Sequence, residues 1–160
     1  NLNDLLAATI NEVPLLRKDF MIDEYQIVEA KAFGAEVILL IAACLTKQEL
    51  KSLATVAKNL GLEVLLEVHN AEELEHVCDE VDLVGVNNRN LKTFEVSIET
   101  SLQLIEQMPK EKIAVAESGI SNAETIVYLR QAGFKGFLIG ENFMKHANPA
   151  IAFAEFVKQL

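Results

Sequence analysis

The chain is poor in the features that mark several common protein classes. Of its 160 residues only two are cysteines, Cys44 and Cys78. They show neither metal-type spacing nor the density of a secreted disulfide framework, so the sequence predicts reduced thiols and a cytoplasmic setting. Histidine is equally sparse, at His69, His76 and His146. No third ligand accompanies His69 and Glu67, which leaves His69 as a loop or cap residue with no metal site expected. Bases are outnumbered, 14 against 24 acids for a net charge of -10. They are scattered, leaving no footprint for a nucleic-acid backbone or an anionic membrane. Any anionic ligand must then be held locally, by backbone N-H groups and a few placed cations. The longest apolar run, Val37 to Leu45, is far short of the roughly 20 residues of a transmembrane helix. No signal-peptide pattern, linker or low-complexity stretch is visible.

A strand is also missing where one is expected. The chain opens at Asn1 already inside an amphipathic pattern of Leu2, Leu5, Leu6 and Ile10, so the expectation is a first helix without the strand that should precede it.

With 51% hydrophobic and 24% charged residues, the chain reads as one globular domain over 1–160 with a sizeable core. The periodicity predicts a helix over Leu2 to Glu12, ended by Pro14, then a strand over Leu15 to Arg17. A helix over Asp23 to Phe33 follows, with Ile27, Ala30 and Phe33 or Ala32 on one face and Gly34 as its C-cap. Glu36 to Ala43 is an almost unbroken apolar strand of the kind covered on both faces in parallel sheets. Thr46 and Glu49 stand at capping-box spacing before a helix with a Leu50, Leu53, Val56, Ala57, Leu60 stripe, closed by Gly61. The unit repeats: strand Glu63 to Glu67, a helix capped by Asn70 with Glu73 three residues on, and strand Val81 to Val86. After a loop over Asn87 to Thr93 come helix Ile98 to Met108, strand Ile113 to Ala116, a helix from Asn122 to Gly133, and strand Gly136 to Ile139. A terminal helix, Pro149 to Gln159, has Ile151, Ala154, Phe156 and Val157 facing inward.

Six strands alternating with helices fit either an open doubly wound sheet or a (β/α)8 barrel. The polar residues discriminate. Lys18, Glu67, Asn87 with Arg89, Glu117 with Ser118, and Gly140 with Glu141 all fall at or just after strand ends. Open sheets concentrate such chemistry at one switch point, whereas barrels draw on nearly every strand. The sequence therefore predicts an α/β fold, a partial TIM barrel of six strands preceded by the helix of unit two, where a full barrel has eight units and about 250 residues.

Each strand end has a chemical and a plain reading. Lys18, between Arg17 and Asp19, is either a proton donor tuned by burial and neighbouring charges or a solvated lysine paired with Asp19. Glu67 closes an apolar run, where an unpartnered carboxylate is costly, and is an acid or base candidate. Asn87-Asn88-Arg89-Asn90-Leu91 is either an Asn-rich turn or an anion grip built on the planar fork of arginine. Glu117-Ser118-Gly119 and Gly140-Glu141 end the last two strands, where barrels commonly hold phosphate on glycine-adjacent N-H groups and a short helix N-terminus.

As a set, Pro14-Leu-Leu-Arg-Lys-Asp-Phe20, Leu66-Glu-Val-His69, Val86-Asn-Asn-Arg-Asn-Leu91, Ala116-Glu-Ser-Gly-Ile120 and Leu138-Ile-Gly-Glu141 closely resemble the strand-end motifs of the indole-3-glycerol phosphate synthase family. The resemblance implies a cytoplasmic lyase of tryptophan biosynthesis that needs no metal or organic cofactor. It implies Lys18 as general acid, Glu67 as proton-transfer partner and Asn87 at the reacting centre. Arg89 matches the arginine at the anionic end, Glu117 and Ser118 the seventh-strand pair. Ser118, Gly119, Gly140 and Glu141 match the phosphate cradle, and Phe20, Leu39, Leu91 and Ile139 the wall around the anthranilate ring. Leu39 and Ile139 read equally well as barrel core.

The resemblance also implies two absent strands, the first of which brings a glutamate and a phosphate-binding lysine. On that basis the expectation is a fragment with an incomplete site, weak or no activity alone, and two open sheet edges that invite pairing with a second copy. Its partner otherwise is a small phosphorylated substrate. A phosphoribosylanthranilate isomerase relative and a non-catalytic assembly piece are the competing readings.

Overall fold

The structure is a computed structural model that describes all residues, Asn1–Leu160. Helices and strands alternate: α1 (Leu2–Ala8), β1 (Leu16–Arg17), α2 (Glu24–Ala32), β2 (Val37–Ile41), α3 (Lys47–Asn59), β3 (Glu63–Val68), β4 (Leu83–Asn87), α4 (Glu99–Ile105), β5 (Ile113–Glu117), α5 (Ala123–Ala132), β6 (Gly136–Leu138), α6 (Glu141–Met144) and α7 (Pro149–Val157). Short 3-10 turns occupy Ala42–Cys44 and Glu72–His76. The sheet order is β1-β2-β3-β4-β5-β6, the order of the chain. A doubly wound sheet would reverse that order at its switch point. Sequential parallel strands joined through helices are the barrel pattern, and the fold is a partial (β/α)8 barrel.

The chain forms two compact units. The first comprises Asn1–Val68 and Glu72–Val84. Here β1, β2 and β3 pair in parallel, with Arg17 opposite Ile38 and Ile41 opposite Glu67. Ile38, Leu39 and Leu40 are all buried, as are Val64, Leu65 and Leu66, which is what a strand covered on both faces requires. Helices α2 and α3 supply Ile27, Ala30, Leu50, Leu53 and Ala57 to this core. The predicted capping box of α3 is present: the Thr46 hydroxyl accepts from the Glu49 N-H at 3.2 Å and the Glu49 carboxylate accepts from the Thr46 N-H at 2.8 Å. Asp82 fixes the entry of β3, its carboxylate accepting from the Val64 N-H and from Lys58 Nζ, each at 2.8 Å.

The second unit comprises His69–Ala71 and Gly85–Leu160. Strands β5 and β6 pair in parallel with Glu117 opposite Leu138. Asn122 caps α5 through the Thr125 N-H, and Gly133 closes it at a φ of +124°, a conformation glycine adopts without strain. The fully buried Phe134 follows directly.

Four local expectations change. Helix α1 stops at Ala8, where the Thr9 hydroxyl donates back to the Leu6 carbonyl and Asn11 Nδ2 to that of Ala8, side-chain bonds that compete with helix propagation. The helix expected after Asn70 is only the 3-10 turn Glu72–His76. Three acids crowd it, and Leu74 and Val77 offer too little apolar face to bury. Helix α4 ends at Ile105, short of Met108, and Pro109 bars its extension. Of the terminal residues expected to face inward, only Phe156 is buried; Ile151, Ala154 and Val157 are exposed. Phe156 instead joins Phe153 around Phe143 of the unforeseen helix α6, ring centroids 5.3 and 5.4 Å away with edge-to-face geometry, the favourable arrangement of aromatic quadrupoles.

Candidate active site

Chemistry-bearing residues stand at strand ends in both units. In the first, Lys18 Nζ donates to Glu67 Oε2 at 2.9 Å. The two residues leave the C-terminal ends of β1 and β3, which β2 separates. That is a gap of roughly 10 Å between strand axes, one that only the long stems of lysine and glutamate can bridge. The environments differ sharply. Glu67 is 3% exposed and the Lys18 side chain 48% exposed, so the pair offers a reachable ammonium backed by a buried carboxylate.

The flanking residues are otherwise engaged. Arg17 donates to the Gln26 carbonyl at 2.9 Å and pairs with Asp19 at 3.2 Å and Glu29 at 3.0 Å. Asp19 therefore answers Arg17, whose charge is taken up by Asp19 and by Glu29 of α2. Gln26 holds the same loop: its Oε1 accepts from the Ile22 and Asp23 N-H groups, and its Nε2 donates to the Phe20 carbonyl. Phe20 is exposed, while Leu39 lies in the core of the unit. Nearby, partial burial pushes the Cys44 thiol up from its ordinary value, with the Glu67 and then the Glu73 carboxylate adding to the shift.

In the second unit the residues after β4 and β5 are tied to one another. Asn87 Oδ1 accepts from the Arg89 N-H at 3.0 Å, and Asn87 and Glu117 are both buried. Arg89 pairs with the Glu141 carboxylate. The Arg89 side chain is 31% exposed and that of Glu141 78%, so an incoming anion meets a guanidinium held only by a solvated partner. Leu91 is exposed and Ile139 half-buried. Ser118 and Gly119 take φ of +64° and +73° in succession. A Cβ on Gly119 would lie 2.5 Å from Val96 Cγ1, so only glycine fits, whereas nothing lies within 4 Å of one on Gly140. Helix α6, behind Gly140, has only four residues, which gives it a weak dipole.

Asn88 was legible only as one member of a polar cluster, yet it is 2% exposed. Its amide joins Ser101 of α4 to the backbone after β5. Burial of two successive asparagines breaks the strand alternation, so no periodicity could have singled it out.

The family model of indole-3-glycerol phosphate synthase matches residues 2–156. The chain belongs to the indole-3-glycerol phosphate synthase family. It is 49% identical over 154 residues to the indole-3-glycerol phosphate synthase of Bacteroides thetaiotaomicron, covering 96% of this chain and 59% of that protein. It is 51% identical over 152 residues to the one from Koribacter versatilis, covering 94% and 58%. The chain thus spans a little over half the length of the curated relatives it matches. Among solved structures, the tryptophan synthase A-subunit from Pyrococcus furiosus superposes with a TM-score of 0.72 at 16% identity, over 99% of this chain and 71% of that one. A structure of the tryptophan synthase complex from the same organism gives 0.74 at 17%, over 99% and 71%. At that identity the likeness shows the fold alone. No helix is long and apolar enough to cross a membrane.

Proposed function

We propose that the protein is an indole-3-glycerol phosphate synthase, a carboxy-lyase that closes the indole ring of 1-(2-carboxyphenylamino)-1-deoxyribulose 5-phosphate with loss of carbon dioxide and water. The observation that carries this reading within a family so named is the Lys18–Glu67 pair, an accessible ammonium 2.9 Å from a buried carboxylate. Ring closure joins a carbon of the electron-rich anthranilate ring to the ribulose carbonyl carbon. Lys18 donates its proton to that carbonyl oxygen as charge develops there, which lowers the barrier. Loss of carbon dioxide restores the electron pair of the ring. Glu67 keeps Lys18 charged and oriented, since a carboxylate at hydrogen-bond distance favours the ammonium form. The same carboxylate then takes up and returns protons as the hydroxyl leaves as water.

The remaining residues bind and orient. Asn87 faces the reacting centre, Arg89 exchanges Glu141 for the substrate carboxylate, and Glu117 with Ser118 contacts the substrate. Ser118, Gly119, Gly140 and the Glu141 backbone hold the phosphate. Phe20, Leu91, Leu39 and Ile139 form the apolar wall, of which exposure favours the first two. Anchoring a flexible substrate at two anionic ends confines it to reactive geometries, an effect worth several kcal/mol (on the order of 5).

The test is turnover of the ribulotide by the whole protein, followed through the fluorescence of the new indole. Lys18→Ala is expected to lower kcat by about 100-fold or more. Undiminished turnover in that variant would remove Lys18 from the acid role.

A further inference from the structure

We propose that Asn88 is a positioning residue: it turns the backbone N-H groups of Ser118 and Gly119 toward an anion. The inference rests on the phosphate end of the substrate proposed above.

Asn88 uses both its backbone and its amide. Its N-H donates to the Glu117 carbonyl at 2.9 Å, and its own carbonyl accepts from the Ser97 N-H at 3.0 Å. Its Oδ1 accepts from the Ser101 N-H at 3.1 Å and from Ser101 Oγ at 2.8 Å, and its Nδ2 donates to the Ser118 carbonyl at 3.1 Å. The amide orientation is not arbitrary: a backbone N-H can only donate, so the atom facing Ser101 is the oxygen and the donor faces Ser118.

Two successive carbonyls, those of Glu117 and Ser118, therefore face one residue. In a trans peptide the C=O and the following N-H point in opposite directions. The Ser118 and Gly119 N-H groups are thereby both directed away from Asn88. Along an extended strand successive peptides alternate in direction. They align here because Ser118 adopts the left-handed conformation, at a φ of +64°. L-residues avoid that region, and they occupy it where surrounding bonds over-determine it. Asn88 supplies those bonds from a buried site, itself braced by Ser101, which is fully buried. Two aligned N-H groups beside a glycine form an anion-binding concavity.

The experiment is a titration of the 15N-labelled whole protein with inorganic phosphate, read at the Ser118 and Gly119 amides and paired with steady-state kinetics. In the wild type both amides are expected to shift saturably; no shift there overturns the proposal. Asn88→Asp keeps the acceptor for Ser101 but cannot donate to Ser118. It should raise the phosphate Kd, and the KM of the phosphorylated substrate with it, by about tenfold, while kcat changes by less than about threefold. A folded Asn88→Asp variant with unchanged phosphate affinity, or one that loses kcat at constant KM, overturns it. If that variant does not fold, Ser101→Ala decides. It removes the Oγ bond and leaves the Ser101 N-H as the one brace on the Asn88 oxygen, and should raise the Kd about threefold; an unchanged value overturns the proposal. The two readings fail separately. Expected phosphate shifts without ring closure would sink the activity and leave the positioning role standing, and ring closure with affinity indifferent to Asn88 would do the reverse.

Discussion

Lys18 reaches across β2 to place its Nζ 2.9 Å from Glu67 Oε2, joining a half-exposed cation to a carboxylate that is 3% exposed. The buried member of this pair carries the cost of desolvation, while the exposed member stays within reach of a ligand. That asymmetry sets the first expectation.

Glu67→Gln keeps the shape of the side chain and removes its charge. Turnover should fall by about 100-fold or more, since proton relay is lost. The thermal midpoint should hold or rise, because the charge left behind on Lys18 faces solvent rather than the core. Cys44 reports on the same change without any substrate. Burial first, and then the carboxylates of Glu67 and Glu73, raise its thiol pKa. Removing the Glu67 charge should lower that pKa and speed alkylation of Cys44 at fixed pH. Alkylation no faster than in the wild type would mean that the Glu67 charge does not reach Cys44.

Gly119 and Gly140 lie in matching places two residues past the ends of β5 and β6 but should respond differently to alanine. At Gly119 the added methyl meets Val96 Cγ1 at 2.5 Å on a backbone with φ of +73°, and the expected loss of stability is about 1–3 kcal/mol. At Gly140 the methyl meets nothing within 4 Å, so stability should stay within about 0.5 kcal/mol. Denaturant unfolding separates the two, and a Gly119→Ala variant as stable as Gly140→Ala would contradict the geometry. Gly140→Ala then serves as a probe of phosphate affinity free of folding effects.

Thr46→Ala breaks the capping box of α3 and should cost about 1 kcal/mol at neutral pH. Glu49 adds a pH dependence. Hydrogen bonds from the Thr46 N-H and then its hydroxyl hold the Glu49 carboxyl below the usual glutamate value. The folded state therefore binds this proton less readily than the unfolded chain does. The stabilisation is complete above the unfolded glutamate pKa, near 4.3, and fades as pH falls through the lower folded value. The stability gap between wild type and variant should narrow in acid without closing, since the bond from the Glu49 N-H to the Thr46 hydroxyl does not titrate; a gap that widens below pH 4 would reverse the sign.

Much of this protein follows from local rules. Apolar runs at Val37 to Ile41 and Val64 to Leu66, caps at Thr46 and Asn122, and breaks at Gly61 and Gly133 act within a few residues of themselves, so they specify alternating strands and helices wherever the chain goes. The polar residues ending those strands are legible for the same reason. Less was legible where a long-range contact outweighed local pattern. The face of α7 is one case, since only Phe156 of its apolar residues is buried, against Phe143 of a helix too short to signal itself. The partner of Lys18 is another, since Asp19 is adjacent in sequence yet bonds Arg17 instead.

Sequence alone thus determined the order and kind of the elements and the residue types at their C-terminal ends. Only the tertiary structure decided how those residues engage one another: Lys18 with Glu67, Arg89 with Glu141, and Asn88 with the backbone of Glu117 and Ser118. The physical reason is range. Periodicity and capping act over about one to three turns of chain. The pairing of a lysine with a glutamate 49 positions later depends on which strand ends the sheet brings side by side.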